Sequence, residues 1–123
     1  MKVLLIVCAM LFVVPAVHAG SKSGNELSED CKTSDGNSAT FQDGVCLGYV
    51  LGAKDSFEFA AKVHHVTPDF CIPDGVTNGQ VVKVVVKYLN NHPEDLHYSA
   101  ESLVVYALGA AFRCAEVPDQ PTK

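Results

Sequence analysis

Between Phe70 and Cys114 the chain reads Phe-Cys-Ile-Pro, a capped apolar segment, Asn-His-Pro-Glu, a second apolar segment and Ala-Phe-Arg-Cys. No other feature narrows the fold as far. Both apolar segments have helical length and the turn between them is short, so two helices there must run antiparallel. Antiparallel pairing returns the end of the second helix to the start of the first, where Cys114 and Cys71 sit. A disulfide between them would staple the hairpin shut.

The first residues indicate a compartment in which that bond can form. Met1-Lys2 is a minimal basic start, Val3 to Val14 is an unbroken apolar run, and Val17-His18-Ala19 offers small residues at the usual cleavage positions. Residues 1–19 therefore read as a secretory signal peptide cleaved after Ala19. The apolar run is shorter than the roughly 20 residues that a membrane-spanning helix requires. Cys8 follows Val7 and comes very early in the run, which argues against lipid attachment.

Residues 20–123 suit a single domain with one modest core. They hold Cys31, Cys46, Cys71 and Cys114, an even number in an exported chain. With Cys71 and Cys114 assigned to the hairpin, Cys31 and Cys46 remain, and the Ser-, Asp-, Gly- and Asn-rich stretch Thr33 to Thr40 can loop back to join them. Zinc is the competing use of four cysteines, but no C-x-x-C pair is present and the four are widely spread. His64-His65, His92 and His97 carry no acidic ligand at regular spacing, so no metal is expected, and nothing calls for a cofactor.

The periodicity predicts about four helices. A short first one is expected over Glu26 to Lys32, and a longer one over Gln42 to Val63. Gly44, Gly48 and Gly52 recur along one side of the second, a spacing that predicts close approach by another backbone. Thr77-Asn78-Gly79-Gln80 is a capping box opening a third helix, with Val82, Val85, Val86 and Leu89 expected inward. Its valines would equally suit a strand, but the cap and the length decide for helix. Pro93-Glu94-Asp95 reads as the first turn of a final helix, whose stripe Ala100, Leu103, Val104, Ala107, Leu108 and Ala111 faces inward. Val117 to Pro121 reads as a frayed tail. The fold class is thus all-α, a small disulfide-stapled bundle.

These residues also carry a likeness. The blocks Cys46-Leu47-Gly48-Tyr49-Val50-Leu51-Gly52-Ala53-Lys54-Asp55, Phe70-Cys71-Ile72-Pro73, Gly75-Val76-Thr77, Val85-Val86-Lys87-Tyr88-Leu89, His92-Pro93-Glu94 and Ala110-Ala111-Phe112-Arg113-Cys114 occur in this order. Together the chain resembles the resistance-associated protein (Rap/Tai) family of type VI secretion immunity proteins over about Cys31 to Cys114. Arg113 departs from the proline that commonly precedes the last cysteine. The resemblance implies a periplasmic helical protein, commonly a homodimer, that binds and occludes a peptidoglycan amidase injected by a neighbouring bacterium. It does not transfer the toxin-contacting residues, which must complement one particular toxin.

What the sequence lacks agrees with an inhibitor. It has no G-x-S-x-G, no phosphate loop and no Cys-His nucleophile pair, which argues against an enzyme. Loss of Lys2 with the leader leaves eight basic against fourteen acidic residues, a net charge of −6 that disfavours nucleic acid and anionic lipid. Three polar segments could enter a toxin groove: Thr33 to Gln42, Thr67 to Gln80 and Asn90 to Tyr98. Within them, Asp35, Asp74, His92 and Glu94 read first as solvated surface, as does Asp43 beside them. The competing functional reading is an orphan periplasmic envelope-stress or chaperone-like protein. A two-disulfide domain with few buried ionisable groups resists the acid unfolding such a chaperone would exploit, which favours immunity.

Overall fold

A computed structural model describes residues 20–34 and 40–115; the signal-peptide reading of residues 1–19, the middle of the Thr33 to Gln42 segment with Asp35, and the tail reading of Val117 to Pro121 lie outside the described residues. Among the described residues four α-helices follow in order: α1 (Gly24–Asp30), α2 (Phe41–His64), α3 (Asn78–Asn91) and α4 (Ala100–Ala111), with a 3-10 turn at Pro93–Asp95 between the last two. Among the described residues the only β pairing is an isolated bridge between Ser23 and Ser99. No helix among them is long and apolar enough to cross a membrane.

Each α-helix opens on a hydroxyl side chain that accepts from an otherwise unpaired first-turn amide. Ser23 and Glu26 form a reciprocal capping box at α1, Thr40 and Asp43 at α2, and Thr77 and Gln80 at α3. Ser99 caps α4 by accepting from the Ser102 amide. At the far end of α2, Lys62 and His64 lie in the last turn, where positive charge complements the helix dipole. His65 then closes the helix in the left-handed region, at φ 53°. Gly75, at φ 88°, makes the other left-handed turn, in the loop before α3.

The core is one cluster to which every α-helix contributes. It contains Leu27 of α1, Cys46 and Val50 of α2, Val81, Val82, Val85 and Leu89 of α3, and Ala100, Leu103, Val104, Ala107 and Leu108 of α4. The Cys31–Cys46 disulfide lies inside it, tying α1 to α2. The Cys71–Cys114 disulfide lies at the surface and closes the α3–α4 hairpin, beside a hydrogen bond of 2.8 Å from the Cys71 amide to the Phe112 carbonyl.

Several expectations change. The helix α1 begins two residues before Glu26 and ends at Asp30. Its start is drawn forward because the Gly24 and Asn25 amides donate to the Tyr98 and Leu96 carbonyls, each at 2.8 Å. Gly24 must be glycine there: a Cβ would collide with Leu103 and lie 2.8 Å from the Leu96 carbonyl oxygen. The same contacts hold residues 96–98 out of a helix, so Pro93–Asp95 is a separate 3-10 turn rather than the first turn of α4. In α3, Val81 is buried and Val86 only half-buried. In α4, Ala111 is exposed, since the helix runs past the core there. The glycine side of α2 meets no backbone at all: a Cβ at Gly44, Gly48 or Gly52 would find nothing within 4 Å. The core side of α2 is carried instead by Asp43, Cys46 and Val50, half a turn away.

Candidate functional site

The three polar segments differ in how they are held. Thr33 and Ser34 donate to one oxygen of Asp43, at 3.1 and 2.9 Å, and the Thr40 amide donates to the other at 3.1 Å. Both flanks of residues 35–39 are therefore fixed to a single carboxylate. Asp43, expected on the solvated surface, is only 6% exposed. The Thr40 and Ser34 hydroxyls hold it as a carboxylate and lower its pKa to about 2. The second segment, Thr67 to Gln80, is pinned by the Cys71–Cys114 disulfide, and its Asp74 is exposed.

The third segment, Asn90 to Tyr98, carries the densest chemistry. Tyr88, in the last turn of α3, stacks on His92 with ring centroids 4.3 Å apart and donates its hydroxyl to Asp95 at 3.3 Å. Burial, followed by the Asp95 charge, raises the Tyr88 pKa, so its phenol stays a donor. His92 pairs with Glu94 at 3.3 Å, and the His97 ring lies 2.8 Å from the Glu94 carbonyl oxygen. Hydrogen bonding from its own backbone amide, then from His92, lowers the Glu94 pKa. The Tyr98 ring packs on His97 at 4.1 Å and remains 48% exposed, while Tyr106 of α4 is 55% exposed.

Beside this turn an open groove of about 260 Å³ runs between Val84, Lys87 and Asn91 of α3 and Ala107, Ala110 and Ala111 of α4. It is small and unenclosed for a small-molecule site, which typically exceeds roughly 300 Å³ and buries most of its ligand. A shallow channel flanked by tyrosine and histidine rings suits a protein partner better, since tyrosines combine rigid apolar area with a polar tip.

His92, Glu94 and Asp95 bring three ligand-type atoms within 4.8 Å of one another. Each is already engaged, however, Asp95 by Tyr88 and Glu94 by His92. The arrangement is a hydrogen-bonded turn that fixes the rings around it.

Sequence reasoning identified the turn and its His92 and Glu94 but missed Tyr88, Tyr98 and Tyr106. The available signal was that Tyr88 and Tyr106 lie off the apolar stripes of two helices, with Tyr88 one turn ahead of His92 and Tyr98 closing the turn between them. It also missed the contact between α2 and α4 in which Tyr49 donates to Glu101 at 3.0 Å. Burial and this acceptor raise the Tyr49 pKa to about 12. That pair joins positions 52 residues apart, which no local pattern reveals.

Neither a curated protein nor a solved structure gives a match. A family model does, that of the Rap1a immunity proteins, over residues 23–114. The matched span opens at the Ser23 cap of α1 and closes at the cysteine that completes the α3–α4 staple. The chain belongs to the Rap1a immunity protein family, whose role is to neutralise a type VI secretion effector rather than to catalyse a reaction.

Proposed function

We propose that the chain is exported, loses residues 1–19, and acts in the periplasm as a homodimer that binds and occludes a peptidoglycan amidase effector, protecting the cell that makes it. Residues 20–123 then form a single immunity domain that needs no cofactor. The observation that carries this reading is the family match over residues 23–114, which begins just beyond the proposed leader. Two disulfides suit an oxidising compartment outside the cytoplasm.

Occlusion needs a rigid projection, and the Asn90 to Tyr98 segment is the best candidate of the three. Its two histidine rings are held by hydrogen bonds and the Tyr98 ring packs on one of them, so little conformational entropy is lost when they are covered. The mature charge of −6 favours a basic groove in the effector.

The test is a pull-down with the oxidised mature protein against the peptidoglycan amidases encoded near its gene, followed by an assay of the captured enzyme. Stoichiometric capture with loss of amidase activity is the expected result. Failure with every such amidase would shift the reading to an orphan envelope protein. Capture that survives Tyr98→Ala and Tyr106→Ala together would move the contact surface away from this turn.

A further inference from the structure

Beyond Val50 no residue of α2 is buried, so the second half of this helix runs along the edge of the bundle. Its inner side still touches the core through Ala53 and Phe57. Its outer side carries Phe59, 68% exposed, and Val63, 51% exposed, followed by Val66 at 59%. A helix brings residues three and four apart onto one side, so Leu51, Asp55, Phe59 and Lys62 form one strip, with Leu51 half-buried against the core at its inner edge. Val66 prolongs it, because its amide bonds back to the Ala61 carbonyl at 3.1 Å and keeps the residue over the last turn.

In order, this strip reads apolar, acidic, aromatic, basic, apolar. Asp55 lies one turn before Phe59 and Lys62 one turn after it, with Leu51 and Val66 a further turn out on either side. A second copy laid antiparallel across Phe59 places Asp55 of each chain opposite Lys62 of the other and Leu51 of each opposite Val66 of the other. The two Phe59 rings meet on the axis. Such matching of a surface to itself under a two-fold rotation is what an isologous interface requires. A foreign segment would require no such symmetry. The Asp55 side chain meets Lys54 of its own helix at 2.8 Å but stays 70% exposed, and Lys62 is exposed, so an incoming chain can reach both.

We propose that the outer strip of α2 is the surface through which two copies of this chain associate, antiparallel and centred on Phe59. This rests on the homodimer included in the proposed function and assigns it a surface. The interface lies on α2, away from the Asn90 to Tyr98 turn proposed to enter the effector. A dimer built this way leaves both copies of that turn free.

The experiment is sedimentation velocity on the oxidised mature protein, with no effector present, for the native chain, Asp55→Lys, Lys62→Asp and the double exchange. The native chain is expected to dimerise, each single reversal to weaken dimerisation by about tenfold or more, and the double exchange to recover most of that loss. A native chain that stays monomeric, single reversals that leave the dimer unchanged, or a double exchange that does not recover would each overturn the proposal. Circular dichroism of each variant checks that the fold is retained, as is expected for exposed positions. The effector plays no part in this readout, so its outcome is independent of the pull-down.

Discussion

Asp43 draws four donors onto one carboxylate: the Thr33 and Ser34 hydroxyls on one oxygen, and the Thr40 amide and hydroxyl on the other. It thereby caps α2 and fixes both flanks of residues 35–39, three positions before Cys46 enters the core. All four bonds favour the ionised form, which is why its pKa falls from 3.8 to about 2. A carboxylate held below its unfolded value stabilises the fold at every pH above that value. The contribution fades as pH drops from about 3.8 toward about 2. Asp43→Asn should therefore melt at a lower temperature than the native chain at pH 5 and 6, with the gap closing between about pH 4 and 2. Thermal melts of both proteins across that range check it, and a gap independent of pH would show that the ionised state contributes nothing. The sequence concealed this residue because aspartate stands where a capping box more often has Glu or Gln. The equivalent arrangement at Thr77 and Gln80 could be read directly.

At the scale of elements, the existence and order of the helices were legible from periodicity and caps, and α2 falls within one residue of its expected bounds at each end. What the helices face was less legible. Glycines at every fourth position are equally compatible with a closely approached face and an open one, because the pattern records only the absence of side chains. Here the face is open, and the glycines carry a helix-propensity cost with no contact within the fold to offset it. Gly44→Ala should stabilise the protein by about 0.5–1 kcal/mol in urea denaturation, whereas Gly24→Ala, where a Cβ meets Leu103 and the Leu96 carbonyl, should destabilise it. The start of α4 was misjudged for a related reason. The carbonyls of Leu96 and Tyr98 are taken by amides some 70 residues earlier, and only the folded chain shows that partnership.

Over the whole molecule, the two disulfides are expected to divide the work unequally, with burial reversing the ranking that loop entropy alone would give. Closing 43 residues at Cys71–Cys114 limits the unfolded chain more than closing 15 at Cys31–Cys46. In that model the two closures contribute about 4 and about 3 kcal/mol respectively. Burial then enters with the opposite sign. Cys31 and Cys46 are 2% and 0% exposed, against Leu27 and Val50 in the common cluster, while Cys71 is exposed. Serines at 31 and 46 would place two hydroxyls in the core at about 1–3 kcal/mol each if left unpaired, whereas serines at 71 and 114 can reach water. Set against a total stability of roughly 5–15 kcal/mol, Cys31→Ser with Cys46→Ser should leave little folded protein, and Cys71→Ser with Cys114→Ser should leave a weakened but folded one. Alanine pairs separate the two causes. Urea denaturation should show Cys31→Ala with Cys46→Ala recovering a substantial part of the serine loss, and the alanine and serine pairs at 71 and 114 behaving nearly alike. Equal losses for alanine and serine at 31 and 46 would mean that chain constraint alone, and not the buried position of the bond, makes the inner disulfide matter.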